Sequence, residues 1–379
     1  MPSAIVVGGL TLVGRNLVSY LTENNICHPI RVIDRSVPAA AFLNQQCRAA
    51  FDKVEFRQVN LVNEEAVARS FEPAEGHDGW DYVFNCSTED RYGEVDQVYK
   101  ERVMVAGVNC ANEAAKRKVK VFVQLSTGCV YNETDHNGPA CDETAPVQAD
   151  IPRTKYHLET DQKIMATPEL NAVIVRTALV YGPGDFFRFA PFLALNTVIQ
   201  YKQWKMECPR TANPRRNSVH VFDVAAAMCH LAKWYCDSHQ TGTHVFNVSD
   251  QNDTRFSEMF TIYSKYQRKN NGAEEEADAA AEPEVIDSEA ELLAVRDELN
   301  EMSGPVWLEL LEQSGISVTP VSPTLCQEYF TASPASVNGQ KIVRETGFAY
   351  KYPHVEFSVL EDMVNDLIQE KLWPSVQTA

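Results

Sequence analysis

Three glycines close to the start of the chain have the spacing of a nucleotide-binding turn. Gly8, Gly9 and Gly14 follow the apolar run "AIVV" and precede a predicted helix that begins near Leu12. Glycines here let the backbone turn tightly, let a pyrophosphate come close and let the helix pack onto the strand, while the helix N-terminus offers free N–H groups. Thr11 places a side chain in the middle of this turn, so either the turn binds its ligand less tightly or Gly9 absorbs the change. The stretch predicts a dinucleotide site that includes all five residues.

A carboxylate follows at the end of the second predicted strand. Asp34 lies 26 residues after Gly8, where its side chain can accept hydrogen bonds from the ribose of an adenosine. The same carboxylate would repel the 2′-phosphate of NADP, so the sequence favours NAD as the cofactor. The alternative is that Asp34 caps a helix that begins in "RSVP".

The elements that must hold these residues alternate between strands and helices. Apolar runs rich in Val, Ile and Phe are typical of strands that are buried on both faces, and short polar turns join them to helical segments. This alternation predicts right-handed βαβ crossovers, and hence an α/β fold with a Rossmann-type, doubly wound parallel sheet. The predicted strands are "AIVVGG", "IRVIDR", "VEFRQVN", "DYVFNCS", "VKVFVQLS", "NAVIVRTALVYG" and "THVFNVS"; the predicted helices are Leu12–Leu21, Ala39–Phe51, Glu65–Phe71, Val98–Arg117 and Thr154–Met165.

The regular alternation loosens after Gly184, which indicates a second, smaller part of the chain. Residues 1–185, with 215–250 returning to them, are predicted to form the dinucleotide-binding domain. Residues 186–214 and 251–379 are predicted to form a smaller C-terminal part that lies over the open edge of the sheet and binds the substrate.

An acidic stretch interrupts that C-terminal part. Residues 271–312 contain 14 acidic residues and one basic residue, Arg296, and "GAEEEADAAAEPE" has no aromatic residue. A segment of this composition buries too little apolar surface to offset the entropy lost on ordering, so 271–290 is predicted to be a disordered, solvated insert. The alternative is an acidic docking surface for a basic protein partner.

Composition excludes several classes of function. The formal net charge is -18, which argues against nucleic acid as a partner, because a phosphate backbone is bound by clustered Lys and Arg. The longest apolar run, "FAPFLALNTVI", is shorter than the roughly 20 residues that span a bilayer. The ten cysteines include no CxxC pair, so neither a disulfide nor a metal site is predicted. With no signal-like N-terminus, the expected location is cytoplasmic.

Several stretches resemble the extended short-chain dehydrogenase/reductases, the NAD-dependent epimerase/dehydratase superfamily. The turn is similar to the family's GxxGxxG, with Thr11 at the middle glycine. "VFVQLSTGCVY" resembles the family's fifth strand and Ser/Thr loop, and "VIVRTALVYGPGD" resembles the strand that ends in its YGPG turn. "RRNSVHVFDVAAAM" resembles its RxxxHVxDxA element, in which Arg216 takes the position that often contacts a substrate diphosphate. The resemblance covers roughly the first 250 residues.

The resemblance implies a catalytic tyrosine with a lysine four residues later. The lysine's charge lowers the tyrosine pKa, and a Ser/Thr hydroxyl holds the substrate oxygen. Thr127 and Tyr156 match the hydroxyl and the tyrosine, but Thr160 replaces the lysine and cannot supply a charge. Lys163 returns to a similar helix face one turn further on, where its long side chain is predicted to reach the cofactor ribose. The alternative is that Lys163 is an ordinary surface lysine.

Two further positions depart from the family pattern. Asn60, followed by Leu61, stands after the third strand where the family commonly has an acidic residue that meets the adenine; an asparagine can still hydrogen-bond the base. Leu179 replaces the asparagine that many nucleotide-sugar members place before VYG. This weakens the expectation of a sugar-diphosphate substrate.

Three functions from different classes follow. The first is an NAD-dependent enzyme that oxidises, reduces or epimerises a carbinol of a small-molecule substrate. The second is a dinucleotide-binding scaffold or sensor without turnover, and the third is an interaction protein with an empty pocket. A homodimer, formed through the helices that include the catalytic one, is also compatible with the resemblance.

Overall fold

A seven-stranded parallel sheet organises the computed structural model, which describes residues 1–133, 138–204, 214–255, 258–259, 289–331 and 335–375. The strand order is β3-β2-β1-β4-β5-β6-β9, and every neighbouring pair is parallel. These strands are β1 (Ala4–Val7), β2 (Ile30–Asp34), β3 (Glu55–Gln58), β4 (Tyr82–Asn85), β5 (Val121–Thr127), β6 (Ala172–Thr177) and β9 (Thr243–Val248). A separate parallel pair consists of β7 (Leu179–Tyr181) and β8 (Ser218–His220).

Helices cover both faces of the sheet. One apolar cluster packs α1, α2 and α8 onto one face, and a second packs α3, α5 and α6 onto the other. The helices are α1 (Leu12–Glu23), α2 (Gln45–Phe51), α3 (Glu64–Ser70), α4 (Asp96–Tyr99), α5 (Ala106–Lys116), α6 (Pro152–Met165), α7 (Ala190–Lys202), α8 (Val221–Asp237), α9 (Glu289–Gln313), α10 (Glu328–Thr331), α11 (Gln340–Thr346) and α12 (Phe357–Gln369), and a π-helical turn (Lys100–Val105) joins α4 to α5. The predicted Rossmann-type fold is confirmed.

Two predicted elements are divided in the structure. "NAVIVRTALVYG" forms β6 and then β7, because the chain changes partners at Ala178: the Ala178 N–H donates to Val248 O (2.9 Å) and the next N–H, of Leu179, donates to Asn217 O (3.0 Å). The predicted helix over Ala39–Phe51 is a short turn, Pro38–Ala40, followed by α2. Phe42 between them has a φ of 49°, a left-handed conformation that a helix cannot contain.

A third apolar cluster lies in the C-terminal part. It joins α7, α9 and α12, and the rings of Trp307 and Trp373 meet edge-to-face with centroids 5.2 Å apart. The proposed domain division stays a prediction. Of the predicted acidic insert, positions 271–288 lie outside the described residues, while positions 289 and 290 begin α9. No helix in the described ranges combines the length and the apolar character that crossing a membrane requires.

Candidate dinucleotide and catalytic site

The glycine turn between β1 and α1 leaves no room for side chains. Gly8 has a φ of +67°, and a Cβ built there would lie 2.6 Å from the backbone N of Ser87, which follows β4. A Cβ on Gly9 would overlap Val32 of β2, and one on Gly14 would overlap the Gly8 carbonyl oxygen. The three glycines therefore pack the turn against two strands and bring α1 close to it, as the sequence predicts.

Thr11, the departure from the glycine pattern, caps α1. Its backbone is extended, and its Oγ1 accepts a hydrogen bond from the Gly14 N–H (3.2 Å) while its hydroxyl donates to Gly8 O (2.8 Å). A threonine cap satisfies one of the free N–H groups of a helix N-terminus. The side chain thus stabilises the turn from within.

Asp34 ties the glycine turn to the end of β2. One carboxylate oxygen accepts a hydrogen bond from the Leu10 N–H (2.9 Å), and the other accepts one from the Ser36 N–H (2.9 Å). Burial raises the pKa of Asp34, against the lowering effect of these two N–H groups. The short turn that follows is capped by Val37 without a side-chain hydrogen bond, so Asp34 caps no helix there.

An open pocket of about 260 Å³ lies at this edge of the sheet. Asn60 is exposed, with its Oδ1 bonded to the Val62 N–H (3.2 Å), and Leu61 is buried beside it. Among the predicted cofactor residues, those that line the pocket are Gly8, Thr11, Asp34, Asn60 and Leu61. The predicted residues Gly9, Leu12 and Gly14 belong to the turn and to the first helical turn behind it.

A carboxylate of the chain itself occupies the start of α1. Asp90, in the loop after β4, accepts a hydrogen bond from the Leu12 N–H (2.9 Å) and forms an ion pair with Arg188 (2.9 Å). Burial alone would raise the pKa of Asp90, but Arg188 and the Leu12 N–H hold it below its usual value. A charged group therefore lies where a helix N-terminus attracts a phosphate. Asp90 was not among the predicted site residues.

Tyr156 is fixed by an acidic residue at the start of α4. Its hydroxyl donates a hydrogen bond to Asp96 Oδ2 (2.6 Å), and its ring packs with Tyr99 and Val103. The hydrogen bond to the Asp96 carboxylate is the main cause that raises the pKa of Tyr156 to about 12. The phenol is thus protonated at neutral pH, in contrast to a tyrosine beside a lysine, whose pKa falls.

Thr160 stands four residues after Tyr156 and is fully buried. Its hydroxyl donates to Tyr156 O (2.5 Å), and its Cγ2 lies 3.0 Å from the place that a Cβ on Gly107 would take. Helices α5 and α6 therefore approach each other closely at this position. Of the other two predicted catalytic residues, Thr127 lies at the end of β5, where its Oγ1 accepts from the Cys129 N–H (3.2 Å), and Lys163 has an exposed side chain.

Comparison with known proteins places the chain in a family. The model of the NAD dependent epimerase/dehydratase family matches residues 4–249. The chain belongs to this family. The resemblance found in the sequence is confirmed, and with it the expectation of an epimerase/dehydratase-like protein. No curated protein matches the chain.

Solved structures with the same fold cover almost all of this family member. A dTDP-glucose 4,6-dehydratase from Bacillus anthracis in complex with NAD is 15% identical, with a TM-score of 0.68 over 98% of this chain and 99% of that chain. A UDP-glucose 4-epimerase from Thermotoga maritima with UDP-glucose is 16% identical, with a TM-score of 0.65 over 97% and 99%. WbmG from Bordetella bronchiseptica, in complex with NAD and UDP, is 17% identical, with a TM-score of 0.65 over 98% and 96%. At these identities the likeness shows a shared fold.

The loop after β4 also carries a buried glutamate that sequence reasoning missed. Glu89 is 2% exposed and pairs with Arg35 (3.2 Å), Arg91 (3.1 Å) and Arg102. Burial alone would raise the pKa of Glu89, but the hydrogen bonds from Arg91 and Arg102 hold it below its usual value. All four residues line the pocket together with Asp34. The only signal in the sequence is the run "TEDR" directly after a buried strand, at the edge where ligands bind.

Arg216, the predicted substrate contact, lies at the junction with the C-terminal part. It is 9% exposed, and its guanidinium donates to Tyr329 O (3.2 Å). Its neighbour Arg215 instead pairs with Glu133 and Asp253. The structure therefore brings Arg216 to α10 of the C-terminal part, and its contact with a substrate stays a prediction.

Proposed function

We propose that this family member binds NAD in the pocket beside the glycine turn and uses it to oxidise, reduce or epimerise a carbinol of a small-molecule substrate. The observation that carries the proposal is that Gly8, Thr11, Asp34, Asn60 and Leu61 line one pocket at the edge formed by the carboxyl ends of β1, β2 and β3. Membership of an NAD-dependent family supports it, as do related folds that hold NAD.

The residues around the pocket fit the adenosine half of NAD. Asp34 would accept hydrogen bonds from the ribose, and Asn60 and Leu61 would meet the adenine. The Cβ-free turn at Gly8 would let the pyrophosphate approach the start of α1, provided that Asp90 releases the Leu12 N–H. Asp34 would repel a ribose phosphate, which favours NAD over NADP. When bound, NAD supplies or accepts the hydride.

Transfer of the carbinol proton requires an arrangement other than the tyrosine and lysine pair of the family, because Thr160 replaces the lysine. We propose that Thr127 holds the substrate oxygen and that Tyr156 and Asp96 act as a relay. In oxidation the tyrosine hydroxyl accepts the substrate proton while its own proton passes to the Asp96 carboxylate; in reduction both transfers reverse. The hydrogen bond of 2.6 Å between Tyr156 and Asp96 supports this route, because it already directs the phenol proton towards the carboxylate. The contact of Lys163 with the cofactor ribose stays a prediction.

Turnover of the NAD-loaded protein tests the relay. Candidate alcohols and nucleotide sugars would be supplied, and the nicotinamide absorbance would be followed for wild type, Tyr156→Phe and Asp96→Asn. Both variants should lose at least about a hundredfold in kcat, which is the usual scale of general acid–base catalysis. Asp52→Asn, on an exposed loop, is the matched control. Unchanged rates in both variants would rule out these two residues.

A second candidate function is dinucleotide binding without turnover, as a scaffold or sensor. Thr160 in place of the lysine favours it. Under this hypothesis NAD binds to wild type, no supplied alcohol reduces it, and Tyr156→Phe leaves the affinity unchanged. Reduction of bound NAD by any alcohol in the panel would exclude this second function.

Partners and location are also proposals. A homodimer through the helices around α6 would show in sedimentation as twice the monomer mass. Docking of a protein on the acidic insert, which lies mainly outside the described residues, predicts that deletion of 272–284 loses a partner in a pull-down. A cytoplasmic location agrees with free thiols on all nine described cysteines, since reducing compartments keep thiols free. Fractionation of cells would check it.

A further inference from the structure

A half-buried arginine close to Tyr156 has a side-chain nitrogen without a hydrogen-bonding partner among the described residues. Arg153 lies in the first turn of α6, three residues before Tyr156, and its Cζ is 4.3 Å from the centroid of the Tyr92 ring. Its Nε is buried and unpartnered, and no ion pair with Arg153 is found in the part of the chain that the structure describes. Burying a guanidinium nitrogen without a partner is costly, so an acceptor oxygen that reached Nε would stabilise this side chain.

His157 presents a second unpartnered group on the same helix face. It follows Arg153 by four residues, a spacing that places both side chains on one side of α6. Its Nε2 lies 3.2 Å from Thr88 Oγ1, while its Nδ1 is buried without a hydrogen-bond partner. Burial, and then the charges of Arg153 and Arg188, lower the pKa of His157 to about 3. The ring is therefore neutral, and it can donate from Nδ1 when Nε2 accepts from the Thr88 hydroxyl.

Two more arginines converge on the same aromatic residue. Tyr92 lies within electrostatic range of Arg153, Arg188 and Arg216. The Tyr92 ring is 4.6 Å from the ring of Tyr329, whose carbonyl oxygen accepts the hydrogen bond from Arg216. Three guanidinium groups thus lie around Tyr92 in a chain whose net charge is -18.

Neither of two nearby carboxylates forms an ion pair with Arg153 among the described residues. Asp90 is bound to Arg188 and to the Leu12 N–H. Glu328 of α10 accepts from the Gly93 N–H through Oε1 (3.1 Å), while its Oε2 is buried without a hydrogen-bond partner and does not reach Arg153. The charge of Arg153 is therefore left for a ligand.

We infer that Arg153 and His157 form a subsite for an oxyanion, a carboxylate or a phosphate, that the substrate carries close to its reacting carbinol. That the bound molecule is a substrate rests on the proposed function. A guanidinium can bind two oxygens of such a group with two N–H donors, and His157 Nδ1 supplies a third donor. The subsite lies one helical turn from Tyr156, so it would select substrates by the anionic group next to the carbon that reacts.

Calorimetric titration of the full chain tests the subsite. The probes are oxalate, inorganic phosphate and UDP, each replacing chloride at constant ionic strength. Wild type should bind at least one of them with a Kd at least about tenfold lower than that of Arg153→Gln. Arg117→Gln removes an arginine that pairs with Glu113 on α5, and this control should bind like wild type. Binding of oxalate would indicate that the substrate group is a carboxylate, and binding of inorganic phosphate or UDP would indicate a phosphate.

Two further measurements separate loss of the subsite from misfolding and from loss of NAD binding. If Arg153→Gln does not fold, as judged by circular dichroism, His157→Asn takes its place and should weaken the same probe. NAD is titrated into the same proteins, and its affinity should not change with Arg153→Gln, since Arg153 does not line the pocket. Wild type that binds none of the probes, or variants that bind them as tightly as wild type, would overturn the inference. If wild type does not bind NAD, that result counts against the proposed function instead.

Discussion

The Asp90 carboxylate lies 2.9 Å from the backbone nitrogen of Leu12, at the first turn of α1. This is the position at which a helix N-terminus attracts a phosphate, and here the chain supplies its own anion. Arg188 holds the other oxygen of that carboxylate. A dinucleotide that enters the turn must therefore compete with Asp90 for the same N–H group.

Asp90→Asn should strengthen NAD binding. The amide keeps the size of the side chain but removes a negative charge that lies close to the incoming pyrophosphate. Like charges a few ångströms apart in a partly buried site repel by about 1.4 kcal/mol or more, so the Kd should fall by about tenfold. Calorimetry would measure the change, with Asp52→Asn as a control on an exposed loop. Weaker binding by Asp90→Asn would mean that Asp90 supports the site instead of competing for it.

Thr160→Lys should destabilise the fold without restoring the family's catalysis. Thr160 is fully buried against Gly107, and the helices leave no room for a longer side chain. An unpaired ammonium there should lower the free energy of unfolding by about 3–4 kcal/mol. Urea denaturation would measure it, and Thr160→Ser, which keeps the hydroxyl, should cost about 1 kcal/mol. A stable Thr160→Lys protein with new turnover would contradict this view of the helix contact.

His157 should make the protein sensitive to acid. Its pKa is about 3 in the folded protein against an ordinary value of 6.5, so between these values the unfolded chain binds the proton and the folded protein does not. The contribution of His157 is thus complete above pH 6.5 and is lost as the pH falls, with a slope of at most about 1.4 kcal/mol per pH unit. His220 acts in the same direction, while the raised pKa values of Asp161 and Asp250 act in the opposite one.

The effect of His157 is isolated by comparison with a variant. The difference in the free energy of unfolding between wild type and His157→Asn should change with pH below 6.5, to the disadvantage of wild type. His77→Asn, at an exposed position, should show no such change relative to wild type. A constant difference from pH 7 to 4 for His157→Asn would show that the ring is not held neutral.

The sheet and the glycine turn at its centre could be predicted from the sequence. Buried parallel strands leave long apolar runs, and the turn requires glycines because Val32 of β2 and the backbone that follows β4 occupy the space of a Cβ. Local pattern also predicted Asp34 at the end of β2, where it lines the pocket. These features depend on residues that are near each other in the chain.

The rest of the site depends on contacts between distant segments. Asp90 is directed to Leu12 by an arginine 98 residues later, and Tyr156 meets Asp96 across 60 residues. Loop side chains have no periodicity that would reveal such pairs. The division of the predicted strand into β6 and β7 could not be predicted either. It depends on hydrogen bonds to β9 and to the residue before β8, which are distant in the chain.

Titration of the purified full chain with NAD and NADP, after mass spectrometry of any nucleotide released on denaturation, tests the central claim most directly. The pocket predicts that NAD binds more tightly than NADP, and that Asp34→Asn weakens NAD by at least about tenfold because a ribose acceptor and its charge are lost. Absence of binding of either dinucleotide at millimolar concentration, by both wild type and Asp90→Asn, would contradict the claim that this pocket is an NAD site.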